Sequence, residues 1–102
     1  MIPRLSPYNI ADDIVRSDLY REIRTGQTAD NGWFQHEIQP DEMLRPELIA
    51  FRRYQTAEMK WVVLVAAGLD DMREALESGA VIKLPPIVWV RERIKFYAGE
   101  TQ

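Results

Sequence analysis

Apolar residues are spread unevenly along this chain, and the unevenness predicts its organisation. Up to Leu44 they stand singly or in pairs among charges, punctuated by Pro3, Pro7, Gly26, Gly32 and Pro40. From Pro46 onward they gather into runs and stripes. The pattern predicts a boundary there, with residues 1–45 as an N-terminal arm and residues 46–102 carrying the core. Within the arm, Asn9 is placed to cap a short helix, with Asp12 three residues on and Ile10, Ile14 and Val15 as the apolar stripe. Residues 19–24 and 33–38 read as two strands. The segment between them ends in Asp30-Asn31-Gly32, a turn sequence, so a hairpin is expected. An isolated two-stranded hairpin is marginal in water, and this half therefore needs another surface to lie against.

The second half is richer. Thr56 is a good N-cap, Glu58 suits the positive end of a helix, and Trp61, Leu64 and Val65 recur at helical spacing. Val62, Val63, Ala66 and Ala67 make the other faces apolar, which predicts a helix buried nearly all round and closed by Gly68. Asp71 and Glu74 form a capping-box pattern ahead of Met72, Ala75 and Leu76, predicting a short helix that Gly79 ends. Val81-Ile82-Lys83-Leu84 reads as a short strand stopped by Pro85 and Pro86. Ile87, Val90, Ile94 and Tyr97 then predict a C-terminal helix that frays after Gly99. Pro46 in a first-turn position, with Leu48 and Phe51, favours a helix over residues 47–54, although the aromatic and branched residues there also permit a strand. The expected core is Trp61, Leu64, Val65, Leu76, Ile82 and Leu84. The fold class is α+β: a helical core with a short strand, preceded by an extended arm holding a short helix and a hairpin.

Composition narrows the function. At 102 residues one domain is expected, and the apolar share of 46% with 28% charged residues rules out disorder throughout. The net charge is −3, and basic residues are interleaved with acids, as in Arg91-Glu92-Arg93. Nucleic-acid binding is disfavoured, because phosphate recognition needs a basic patch. With no cysteine there are no disulfides, thiolate zinc sites or cysteine nucleophiles. The first residues lack the apolar stretch of a signal peptide, and the longest apolar run, residues 61–69, falls far short of the ~20 residues that span a bilayer. A soluble protein made in the cytoplasm, without membrane contact, is the expectation.

The run Tyr54-Gln55-Thr56, Trp61 to Leu69, and Gly79-Ala80-Val81-Ile82-Lys83-Leu84-Pro85 resembles a LysM-type module, with Trp61, Gly68, Gly79, Leu84 and Pro85 at the pattern positions. A longer set, Arg45-Pro46-Glu47-Leu48-Ile49-Ala50, Lys60-Trp61-Val62-Val63-Leu64, Gly68-Leu69-Asp70-Asp71 and Leu84-Pro85-Pro86, resembles small baseplate wedge proteins of contractile-tailed bacteriophages. The resemblance implies a LysM-like fold with an N-terminal extension that clamps neighbouring baseplate subunits. It also implies other wedge or hub proteins as partners, several copies per assembly, a place in the virion tail, and no cofactor. A LysM module that binds cell-wall glycan is the alternative.

Candidate chemistry is sparse. His36, the sole histidine, has the adjacent Glu37 on the opposite face of a strand, and reads as a solvated or hydrogen-bonded surface residue rather than a base or metal ligand. Asp12-Asp13 and Asp70-Asp71 sit beside helix starts, where capping explains them. No phosphate loop, nucleophile elbow or spaced metal-ligand set is present in the sequence. No catalytic residue and no metal site is expected. Aromatic residues are enriched at interface cores, so Trp33 and Phe34 are the expected anchors for a partner, with Tyr20 and Ile38 beside them. Trp89 lies off the stripe of the last helix and fits either the core border or a contact.

Overall fold

The computed structural model describes residues 3–69 and 75–100. Helix α1 (Asp13–Thr25) begins where the Asp12 carboxylate accepts the free N–H groups of Ile14 and Val15. Leu19 and Ile23, four residues apart, are fully buried on its one inner face. That spacing decides against the strand expected at residues 19–24. Ser6, not Asn9, caps the element before α1, a single 3-10 turn at Pro7–Asn9. Ile10 is buried beyond that turn, whereas Ile14 on α1 is 77% exposed.

Strand β1 (Phe34–Glu37) forms as expected, but its partner is β2 (Val81–Leu84), antiparallel, with Phe34 opposite Leu84 and His36 opposite Ile82. The hairpin predicted within residues 19–38 is therefore replaced by a long-range pairing. Between α1 and β1 the chain doubles back: Asn31 donates from Nδ2 to the Gly26 carbonyl and accepts the Trp33 N–H. Helix α2 (Pro46–Tyr54) starts at Pro46 and ends on Gln55, which takes a left-handed φ of 62°. Thr56 caps a 3-10 turn (Ala57–Met59) that leads into α3 (Lys60–Ala67), closed by Gly68 at φ 76°. Helix α4 (Ile87–Glu100) follows β2 directly and packs Val90, Ile94 and Tyr97 inward. Ile87, expected in that stripe, is 36% exposed.

Helix α3 is the centre, in contact with α1, α2 and β2. Val62 and Val63 are fully buried, as is Met59 at the helix's N-cap, and Val65 and Ala66 are buried beside them, Val65 being a core residue as expected. Trp61 and Leu64, expected in the core, are only partly buried on the side toward α1, where they line a hollow with Tyr20 and Arg24. Leu76, Ile82 and Leu84 are core residues as expected. Residues 75–77 have no helical conformation, and the rest of the short helix expected from Asp71 lies outside the described residues.

The arm is the main correction. Ile10, Leu19, Ile23 and Ile38 all belong to the same buried cluster as Val62, Val63, Leu84 and Val90. Residues before Pro46 thus supply part of the core and one of the two strands, and the core has no seam at residue 45. Glu22 of α1 also accepts from both Arg93 and Tyr97 of α4, tying these two helices together.

Candidate interaction surface

The two edges of the small sheet differ. In an antiparallel pair, alternate residues point their backbone groups toward the partner strand and away from it. Lys83 points outward from β2, and the Gln27 side-chain amide meets it from α1's end: Lys83 N–H donates to Oε1 at 2.8 Å and Nε2 donates to the Lys83 carbonyl at 2.9 Å. The amide stands in for a third strand. On β1, Ile38 N–H points to Ala80, so Gln35 and Glu37 turn their backbone groups to the opposite, outer side. There the Glu37 carbonyl accepts from Gln39 Nε2 at 3.0 Å, while the Gln35 N–H and carbonyl and the Glu37 N–H have no partner among the described residues. Gln35 and Glu37 are both exposed.

Beside β1 lies the last turn of α2. His36, 4% exposed, is held from both ring nitrogens: Arg53 Nε donates to Nδ1 at 2.7 Å, and Nε2 lies 2.8 Å from Glu42 Oε1. The arginine fixes Nδ1 as acceptor, so Nε2 carries the proton and donates to the carboxylate. Glu42 is fully buried and also accepts the Gln39 N–H and Arg52 Nη1, at 2.8 and 2.7 Å. Burial pushes its carboxyl up, but the hydrogen bonds from Gln39, His36 and Arg52 outweigh that and hold it below the usual carboxylate range. Asp41 is held low by its hydrogen bond from Arg52. Both ring nitrogens being engaged, His36 clamps β1 to the turn before α2 and is not a free base.

Two hollows flank this network and share Arg53. One, of about 420 Å³, is polar and includes His36, Glu37, Gln39 and Arg52. The other, of about 250 Å³, is bounded by Phe34, Tyr54, Pro86 and Ile87. The Arg53 guanidinium lies 6.0 Å over the Phe34 ring and meets no carboxylate among the described residues. Tyr54 donates to the Pro85 carbonyl at 2.7 Å, and burial pushes its hydroxyl pKa well up. A third hollow, of about 310 Å³, is aromatic: Tyr8, Tyr20 and Trp61 line it with Pro3 and Pro7, and Glu58 and Lys60 are among its other lining residues.

The predicted anchors are dispersed. Phe34 is exposed, at 43%. Trp33 is only partly exposed and meets Trp89 edge-on at 4.9 Å, so these two tryptophans mostly serve each other. Tyr20 lies against Trp61 at 6.0 Å, and Trp61 Nε1 donates to the Leu5 carbonyl. Ile38, at 2% exposure, is a core residue and not an anchor. The network around Glu42 went unread in the sequence. Pro40-Asp41-Glu42 does carry the signal of a capped first turn, with a proline at the first position and an acid at the third. Nothing local joins it to His36 or Arg52. Among the described residues no group of three or more histidine, aspartate or glutamate side chains is placed to hold a metal ion, and no helix is long and apolar enough to cross a membrane.

No family model, curated protein or solved structure matches this chain.

Proposed function

We propose that the protein is a non-catalytic structural subunit that joins neighbouring proteins, and that its assembly is the baseplate of a contractile phage tail. The observation that supports joining is a surface of large apolar side chains around α2 and the start of α4. Phe34, Tyr54, Pro86 and Ile87 line one groove there, with Phe34 and Ile87 exposed. Apolar side chains gathered around a groove mark a contact surface better than scattered ones do. The baseplate assignment rests on the sequence resemblance, and no cofactor enters this reading. Co-expression with the wedge and hub proteins of a contractile tail tests it. A stable complex of fixed stoichiometry is expected, and a chain that stays monomeric beside all of them ends this reading.

A second reading, glycan binding, is favoured by the hollow of Tyr8, Tyr20 and Trp61, since aromatic faces with a polar rim suit sugar rings. Sedimentation with purified peptidoglycan distinguishes it: retention of the protein, weakened by Tyr8→Ala, supports glycan binding over joining.

A further inference from the structure

We infer that the outer edge of β1 takes an extended segment of a partner protein as a third strand, and that this segment carries an acidic side chain next to an apolar one. The inference rests on the joining function and names its surface. Three facts carry it. First, the two strands differ at their outer sides: Gln27 occupies the outer side of Lys83 on β2, whereas on β1 the Gln35 N–H, the Gln35 carbonyl and the Glu37 N–H have no partner among the described residues, and both residues are exposed. An open edge is a template for strand addition, in which the main chain supplies the hydrogen bonds and alternate side chains supply selectivity.

Second, a receptacle for those alternate side chains runs beside the strand. The hollows at the two ends of β1 share Arg53, apolar at the Phe34 and Ile87 end and polar at the Gln39 end. An added strand facing that side places one side chain against Phe34, Tyr54 and Ile87, and a side chain two residues away near Arg53. Third, charge selects the second side chain. Arg52 is already matched by Asp41 and Glu42, while Arg53 spends only its Nε on His36 and has no carboxylate among the described residues. A carboxylate from the added strand completes it. Gln39 must release the Glu37 carbonyl as the strand arrives.

The test selects binders to the purified full-length chain from displayed random peptides of about twelve residues, then maps them by NMR and amide exchange. Expected are sequences with alternating apolar residues and one aspartate or glutamate, bound so that the Gln35 and Glu37 amides exchange about tenfold slower or more. Replacing that acid by its amide is expected to weaken binding about fivefold in the wild type and by much less in Arg53→Gln. Gln35→Pro, which removes an outward N–H and no hydrogen bond to β2, is expected to abolish pairing with an added strand. If this variant unfolds, exchange protection in the wild type still decides. Absence of enriched peptides, basic consensus sequences, or perturbations confined to Tyr8, Tyr20 and Trp61 overturns the inference. A chain that joins tail proteins equally well with Gln35→Pro would sink the edge while leaving the joining function standing. A chain that joins none of them would sink the joining function itself.

Discussion

Gly26→Ala offers a sharp test of how the first half is built, because a general rule and this structure predict opposite signs. Gly26 follows α1 with φ −65° and ψ −16°, helical values open to any residue. Replacing glycine by alanine at such a compatible position ordinarily stabilises by about 0.4–1 kcal/mol, through the unfolded chain. Here the new methyl group would lie 2.2 Å from Cζ3 and 2.4 Å from Cη2 of Trp33. That ring has little room to retreat without disturbing its edge contact with Trp89, and the Trp33 backbone N–H is held by Asn31. Overpacking of this kind costs about 1–3 kcal/mol. Losing an aromatic pair adds about 0.5–1.5 kcal/mol. After the entropic gain is subtracted, a net loss of about 2 kcal/mol is expected, which lowers Tm by about 8–16 °C in a domain of this size. Urea and thermal unfolding, followed by circular dichroism and tryptophan fluorescence, measure it. The same substitution in a Trp33→Ala background meets no ring and is expected to be neutral or stabilising. A Gly26→Ala single variant as stable as the wild type refutes the packing of Trp33 described above.

Truncation to residues 46–102 is expected to leave an unfolded chain, since it removes β1 and the buried Ile10, Leu19, Ile23 and Ile38; a cooperative melt of that fragment would show a self-sufficient second half. In the full chain, amide exchange is expected to be slow through the centre of α1 as well as α3. Glu42→Gln is expected to cost about 3 kcal/mol, because it weakens three hydrogen bonds at a fully buried carboxylate. The pH dependence has a fixed sign: Glu42 and Asp41 are held low in the folded state, so their contribution is complete above the ordinary carboxylate range near pH 4 and is lost as pH falls through the depressed folded values. Acid titration of stability should therefore be flatter for Glu42→Gln than for the wild type, and parallel curves would mean the carboxylate is not held as described.

What was legible in the sequence was local. Pro46 at a helix start, Gly68 at the end of the central helix, the strand before Pro85 and the three-and-four spacing of Val90, Ile94 and Tyr97 are each set by neighbours a few residues away, and each stands where the sequence places it, whereas Thr56 caps the 3-10 turn ahead of the central helix. The α+β class follows from them. Pairing was not legible. Phe34 and Leu84 are fifty residues apart, and nothing near either names the other, so local pattern points β1 to the nearest apolar segment instead. In α1 the apolar residues are too few to separate a one-sided helix from a strand; α3 and α4 packing on Leu19 and Ile23 decides it. The same holds at the surface. The sequence marked Phe34 as a contact and His36 as a bystander, but the buried join of His36, Glu42, Arg52 and Arg53 exists only because α2 folds back alongside β1. That Lys83 is covered and Gln35 is not is likewise a tertiary outcome: Gln27 reaches Lys83 across 56 residues of sequence, and no counterpart among the described residues reaches Gln35.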